Sequence, residues 1–210
     1  MTVVIVVKKF NKASSVFARW KADTEEMLNK MVENDINSSK LSRFLKGNEE
    51  EIENIKKVFK KDFAKVKNIF LYYASISTYP RISWNDFTLF VNKCQIVDKN
   101  LILATVDRLF IATNTSAGSS SGMKNEQGLC RFDFLEILVR VAAAKFRDPG
   151  IVPTASEAVD KLLTENVFPN ADEVDWQRFR EEELYNTECH MLFKKNEKEI
   201  KTVYNHFTHP

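Results

Sequence analysis

Apolar residues recur along most of the chain at the three- and four-residue steps of helices, and one arrangement returns three times. In Ile82-Ser-Trp-Asn-Asp-Phe87 an aliphatic residue stands five places ahead of a phenylalanine, and Leu129-Cys-Arg-Phe-Asp-Phe134 repeats that plan. Val174-Asp-Trp-Gln-Arg-Phe179 repeats it more loosely. Val66, Ile69, Phe70 and Leu71 precede the first copy, Val106, Leu109, Phe110 and Ile111 the second, and Val159, Leu162 and Leu163 the third. After the first copy Phe87, Phe90, Val91 and Cys94 keep helical spacing, as Phe134, Ile137, Leu138 and Val141 do after the second. The repeating unit is therefore a helix, a loop with one aliphatic residue near its end, and a second helix.

The flanks supply further elements. Residues 3–7 read as an extended segment that needs a strand partner. From Ser14 to about Val32 the positions Val16, Phe17, Trp20, Met27, Leu28 and Met31 trace one helical face, ended by the polar break Glu33-Asn-Asp35. Ile36, Leu41, Phe44 and Leu45 reproduce the spacing of the repeat, so residues 28–45 are open to reading as a fourth unit whose loop has almost vanished. Asn48 with Glu51 three places on predicts a capped helix start, and Glu49 and Glu50 suit the positive end of the helix. The helix they open is expected to be the longest in the chain, with Ile52, Ile55, Phe59, Phe63, Val66, Ile69, Phe70 and Tyr73 on one stripe. Tyr79-Pro80 prevents helix continuation in the first loop.

From Val66 to Ile82 is 16 positions and from Val106 to Leu129 is 23, so the second loop, rich in Ser, Thr, Gly and Asn, is seven residues longer. Its exit helix should run from Phe132 to about Phe146. Thr154 caps the next helix, Phe168-Pro169 opens the third loop, Trp176 to Tyr185 forms its exit helix, and a last helix from about Thr187 carries Phe193, Ile200, Val203, Tyr204 and Phe207. The expected division is an N-terminal part, 1–47, a pair of units, 48–148, and a third unit with the C-terminal helix, 149–210.

Composition adds little to this pattern. Five glycines and five prolines in 210 residues favour long helices over a turn-rich β sandwich. A net charge of +2 points to no polyanion. Cys94, Cys130 and Cys189 are odd in number and far apart, which argues against a disulfide framework and for a reducing compartment. No apolar run reaches the length of a membrane span. Lysines and one arginine before Asp23 also fit a mitochondrial presequence, though lysine in place of arginine counts against it.

The repeat resembles the EF-hand superfamily, the calmodulin-like helix-loop-helix units. The resemblance implies an all-α fold of paired helix-loop-helix units joined by very short β bridges. It places Ile82 and Leu129 at loop position 8, where the two loops bridge, with Val174 as the third candidate. Asp86 and Asp133 fall at position 12, the acidic ligand, and Phe87 and Phe134 at position 13. Calcium requires six to eight oxygens and a glycine at position 6. The first loop offers Ser75, Ser77 and Tyr79 at positions 1, 3 and 5, Pro80 at position 6, and Asp86 as its only carboxylate. In the second loop Asn114, Asn125, Glu126 and Asp133 are the candidate ligands, out of register because of the extra length. The third has Arg178 at position 12, which repels a cation. No cofactor is therefore expected, with calcium at the second loop as the exception to test.

What the resemblance leaves is the packing half of the motif: a helix pair that buries an apolar core and accepts an amphipathic helix. The expected function is a non-catalytic interaction or scaffold module in a larger intracellular assembly, cytoskeletal or ciliary by family resemblance. The alternatives are a calcium-responsive sensor using the second loop, and a binder of acidic surfaces such as a tubulin tail, nucleic acid or lipid through Lys56, Lys57, Lys60 and Lys61. The lysine face is read first as solvated surface. Trp84 and Trp176 are read first as lids over their loops and second as partner anchors, and Phe193 and Phe207 as contacts of the last helix. No metal spacing links His190, His206 and His209, and no catalytic motif is present, so no enzyme is expected.

Overall fold

The computed structural model describes residues 10–115 and 128–208. The chain forms two compact units, residues 24–174 and residues 1–23 with 175–210. The extended segment expected at residues 3–7 lies outside the described residues.

The larger unit begins with α1 (Glu25–Ser38), whose cap Thr24 accepts a hydrogen bond from the Met27 amide through its side chain. A single helix from Ser14 to Val32 is thus not formed: a short 3-10 turn at Lys12–Ser14 is followed by non-helical chain up to Thr24. Thr24 with two acids behind it sets a helix start that the apolar stripe runs across. The break expected at Glu33-Asn-Asp35 is also absent, because Asp35 is buried and accepts from Arg131 Nε at 2.6 Å and Nη2 at 3.0 Å. A bidentate arginine partner lets a buried carboxylate sit inside a helix-packing face. After α2 (Leu41–Phe44) comes α3 (Glu49–Ser75), 27 residues long, opened by the Asn48 side chain on the Glu51 amide as its sequence predicts. Ile36 lies within α1 and makes no bridge, so residues 28–45 do not form a fourth helix-loop-helix unit.

The paired units follow. The first is α3, a loop and α4 (Trp84–Lys93), and the second is α5 (Leu103–Thr115), its loop and α6 (Arg131–Ala142), which runs on as a π turn to Arg147. Between them Ile82 and Leu129 form an antiparallel bridge, amide to carbonyl at 3.0 and 2.9 Å in the two directions. Behind it lies an aromatic cluster. The Phe90 ring is 5.2 Å from Tyr73, 5.7 Å from Phe87 and 5.3 Å from Phe134, and Phe110 closes on Phe87 at 5.6 Å. α7 (Ala155–Lys161), capped by Thr154, packs on α3 and α6 through Ala155, Ala158 and Val159. It continues as a π turn to Val167 and ends in α8 (Phe168–Asn170). The boundaries expected at 47/48 and 148/149 fall inside this unit, because α1 packs on α3 and α6, and α7 on α3.

Gly128 shows how closely the loops approach. It has φ +154, and a Cβ there would sit 3.0 Å from both Arg81 Cβ and the Ile82 carbonyl oxygen. Gly128→Ala should therefore lower stability by about 1–3 kcal/mol through backbone strain and displacement of the bridge. Urea unfolding measures it, and a variant as stable as the parent would show that the loops are not held this close.

The smaller unit contains α9 (Trp176–Phe179), extended by a π turn to Leu184, then α10 (Thr187–Lys195) and α11 (Glu197–Thr208). The single C-terminal helix expected from Thr187 is two helices, divided at Asn196. Phe17 packs on Tyr185 at 5.3 Å and on Phe193 at 5.6 Å, and the Val16 amide donates to His190 Nδ1 at 3.2 Å. Lys12 Nζ donates to the Trp20 carbonyl and lies over the Trp20 and Tyr185 rings, with Arg180 over the same indole at 4.3 Å.

Candidate functional site

The site the sequence points to is the pair of loops on either side of the Ile82–Leu129 bridge. In the first loop Ser75, Ser77 and Asp86 already have partners inside the chain, and Tyr79 is exposed. Ser75 Oγ donates to the Tyr72 carbonyl, and Ser77 Oγ accepts from the Ser83 amide. Arg81 sends its guanidinium to the Gly128 carbonyl at 3.2 Å, placing a positive charge between the loops. Asp86 accepts from Ser83 Oγ, and Ser83 Oγ accepts from the Asp86 amide, so both residues close the start of α4.

Asp133 does the equivalent work at α6. Its Oδ2 accepts from the Cys130 amide at 3.0 Å, the reach-back half of a capping box. Both position-12 carboxylates are thus third residues of their helices and turn back to the cap, where amides and the helix dipole favour an acceptor. Burial pushes the Asp133 carboxyl up to about 6, against the lowering pull of the Cys130 amide and of Lys40; Glu136 raises it further and Arg81 lowers it.

The sign follows from linkage. Asp133 holds its proton more tightly folded than unfolded, so its contribution to stability is present below about pH 4 and is lost as pH rises through about 6. Asp133→Asn keeps an acceptor for the Cys130 amide and carries no charge. Its stability relative to the parent should therefore grow by about 2 kcal/mol between pH 4 and pH 7, measured by thermal unfolding across that range. A difference that does not change with pH would remove the buried-carboxylate assignment.

Among the described residues neither loop presents the ligand set that calcium takes. The first has one carboxylate, already bonded at a helix start, proline where the chain needs glycine, and Arg81 alongside. In the second, Asn114 Oδ1 accepts from the Gly128 amide and Asp133 faces its cap. Asn125 and Glu126 lie outside the described residues. Among the described residues no group of three or more His, Cys, Asp or Glu side chains is placed to hold a metal ion.

The third candidate loop is built differently. Val174 makes no bridge among the described residues, since a bridge needs a sister loop and the two existing ones pair with each other. The loop is shorter than expected, because α8 carries helix through Phe168-Pro169-Asn170. Arg178 Nε donates to both oxygens of Glu182 at 2.9 Å, and Asp175 caps α9. The division of the chain into units falls between Val174 and Asp175.

The partner-binding candidates divide. Trp84 is half-buried, 5.1 Å from Phe110 and 6.4 Å from Phe87, and covers the loop end of the pair. Trp176 is half-buried, and its indole N–H is enclosed without a hydrogen-bond partner among the described residues. Lys56 is buried, and pairs with Glu33 at 3.0 Å and Glu53 at 2.6 Å. Lys60 also pairs with Glu33, whose carboxyl these two lysines hold below its usual range. The expected lysine face is reduced to Lys57, which donates to Asn54, and Lys61, both exposed. Phe193 and Phe207 are exposed, with Ile200, Val203 and Tyr204. Helical spacing alone gives charge alternation and not the distant acid that neutralises it, so the Glu33 pairings were hidden in the sequence.

Sequence reasoning missed three partly buried ionic contacts. They are Asp35 with Arg131, Glu136 with the Lys40 amide and Arg140, and Lys145 with Asp98 and the Ile96 carbonyl. They brace α1 and the start of α5 against α6 and its π turn, and so fix the site from behind.

A family model described as the EF-hand of tubulin polyglutamylase TTLL11 matches residues 59–168, just over half of the chain. No curated protein and no solved structure matches it significantly. The match spans most of α3, the bridge and the whole second unit. Among the described residues no helix is long and apolar enough to cross a membrane.

Proposed function

The chain belongs to the EF-hand family described for tubulin polyglutamylase TTLL11, and from that membership we propose that it is a calcium-independent protein-interaction module, held in one conformation, within a cytoskeletal or ciliary assembly. An EF-hand domain of this kind is a non-catalytic module. The observation that carries the reading is the placement of Asp86 and Asp133: the two carboxylates that would close on an ion instead complete the caps of α4 and α6. A helix pair that calcium opens needs those oxygens released for the ion. Here the exit helices are anchored by the groups that would have to let go, and the bridge and aromatic cluster hold the pair together. The pair is then a fixed surface whose affinity for a partner does not depend on calcium.

The family's description, from a tubulin-modifying enzyme, selects tubulin as the first partner to test. Co-sedimentation of the full chain with microtubules, in a calcium chelator and in excess calcium, should give the same bound fraction in both. Binding seen only with calcium would overturn the constitutive reading, and no binding in either condition would remove the cytoskeletal assignment. Trimming the acidic tubulin tails tests the lysine-face alternative. Because Lys56 and Lys60 are paired with Glu33 and Glu53, the bound fraction should survive trimming.

A further inference from the structure

The helix α11 carries an apolar stripe with no cover among the described residues. Every residue from Glu197 to Thr208 is exposed, and Ile200, Val203, Tyr204 and Phe207 are exposed by 45%, 59%, 65% and 79%. A helix of 12 residues with no buried side chain is marginal in water, so its helical state calls for a surface to pack on. Its polar groups are largely satisfied within the helix: Glu197 pairs with Lys201, Thr202 Oγ donates to the Lys198 carbonyl, and Thr208 Oγ donates to the Tyr204 carbonyl. Two glutamates balance two lysines in α11, so it has no net attraction for a nucleic acid, an acidic peptide or an anionic membrane. Recognition has to come from the stripe.

We propose that this stripe pairs antiparallel with α11 of a second copy of the chain, making a two-fold dimer. Ile200, Val203 and Phe207 stand at the spacing of a coiled-coil seam, with Glu199 and His206 both at the same flanking position, seven residues apart. Antiparallel pairing sets flanking positions of one helix against those of the other. The Glu199 carboxylate then meets the His206 imidazole, a donor, of the second copy, and the contact occurs twice. Parallel pairing would set Glu199 against Tyr204 and give the carboxylate no charged partner. The antiparallel arrangement also opposes the two helix dipoles. A two-fold interface has to be self-complementary, and this stripe, apolar at its centre and acid at one end with histidine at the other, satisfies that condition. Its exposed side chains offer roughly 500 Å² per copy, on the order of 1,000 Å² for the pair, the lower end for a specific interface. An interface of that size belongs to the weak, transient class, so association is expected on the order of 10 µM and responds to local concentration in an assembly.

Sedimentation equilibrium of the full chain from about 5 to about 300 µM, which brackets that constant, tests the proposal. The parent should pass from monomer to dimer. Val203→Asp and Phe207→Ser should each weaken association at least tenfold, and His206→Glu severalfold by facing Glu199 with a second acid. The double variant Glu199→Lys with His206→Glu should regain the parent's association. All these side chains are exposed, so far-UV circular dichroism at low concentration should match the parent. A parent that stays monomeric throughout the range would overturn the proposal. So would a dimer that tolerates Val203→Asp, or a charge exchange that rescues nothing.

Discussion

Phe134→Ala should cost the chain about 3–5 kcal/mol of stability, among the largest effects of any single side chain. Phe134 is fully buried at the start of α6, its ring 5.7 Å from Phe70 on α3 and 5.3 Å from Phe90 on α4. It therefore touches the entering and exiting helices of the first unit from the second. Alanine would remove the ring from a cluster whose members are tied to separate helices, so the space cannot close by a local shift. A melting temperature lower by about 10 °C is expected, at a few degrees per kcal/mol for a unit of this size. Leu89 on α4 is the control: it is 57% exposed, and Leu89→Ala should stay within about 0.5 kcal/mol of the parent. Equal losses for the two would mean that the cluster does not join the units.

The second large effect is expected at Glu136, a residue with no surface exposed on the next turn of α6. Oε2 accepts from the Lys40 amide at 2.7 Å and Oε1 from Arg140 Nε at 2.9 Å, while the Arg140 guanidinium lies over the Phe44 ring at 4.6 Å. Glu136→Ala leaves a backbone amide and a largely buried guanidinium without their acceptor, at a cost of about 3–5 kcal/mol. Glu136→Gln retains an acceptor for the Lys40 amide and should lose about 1–2 kcal/mol. Urea unfolding of the two variants separates them. Equal losses would place the contribution in the charge alone, and no loss in either would remove Glu136 as the brace between α6 and the α1–α2 turn.

These two residues also mark how far the sequence was readable. Phe134 announced itself, because the interval from Leu129 and the helical spacing that follows are local patterns, and the bridge from Ile82 to Leu129 came from the same interval. The Asn48 and Thr154 caps are local too. Glu136 gave only an indirect sign, a lone acid in the apolar run Phe134 to Val141, since its partner amide is 96 residues away. Asp35, equally distant from Arg131, was read as a helix break for the same reason. The helix start at Thr24 was missed, because the apolar residues on either side of it continue in phase. Val174 had the right residue and spacing without the second strand that bridging requires. The metal ligands at Asp86 and Asp133 were legible as positions, but which way a carboxylate turns depends on the competing helix start, and the spacing of ligands does not contain that.

The constitutive state of the helix pair is tested most directly by isothermal calorimetry of the full chain against calcium, beside Asp133→Ala. With both position-12 carboxylates engaged at their caps, the parent should release no heat beyond dilution, and its melting temperature should be the same in calcium as in chelator. Stoichiometric heat that disappears in Asp133→Ala would contradict the account: it would mean that Asp133 leaves the start of α6 to hold an ion, and that the module is a calcium-operated switch.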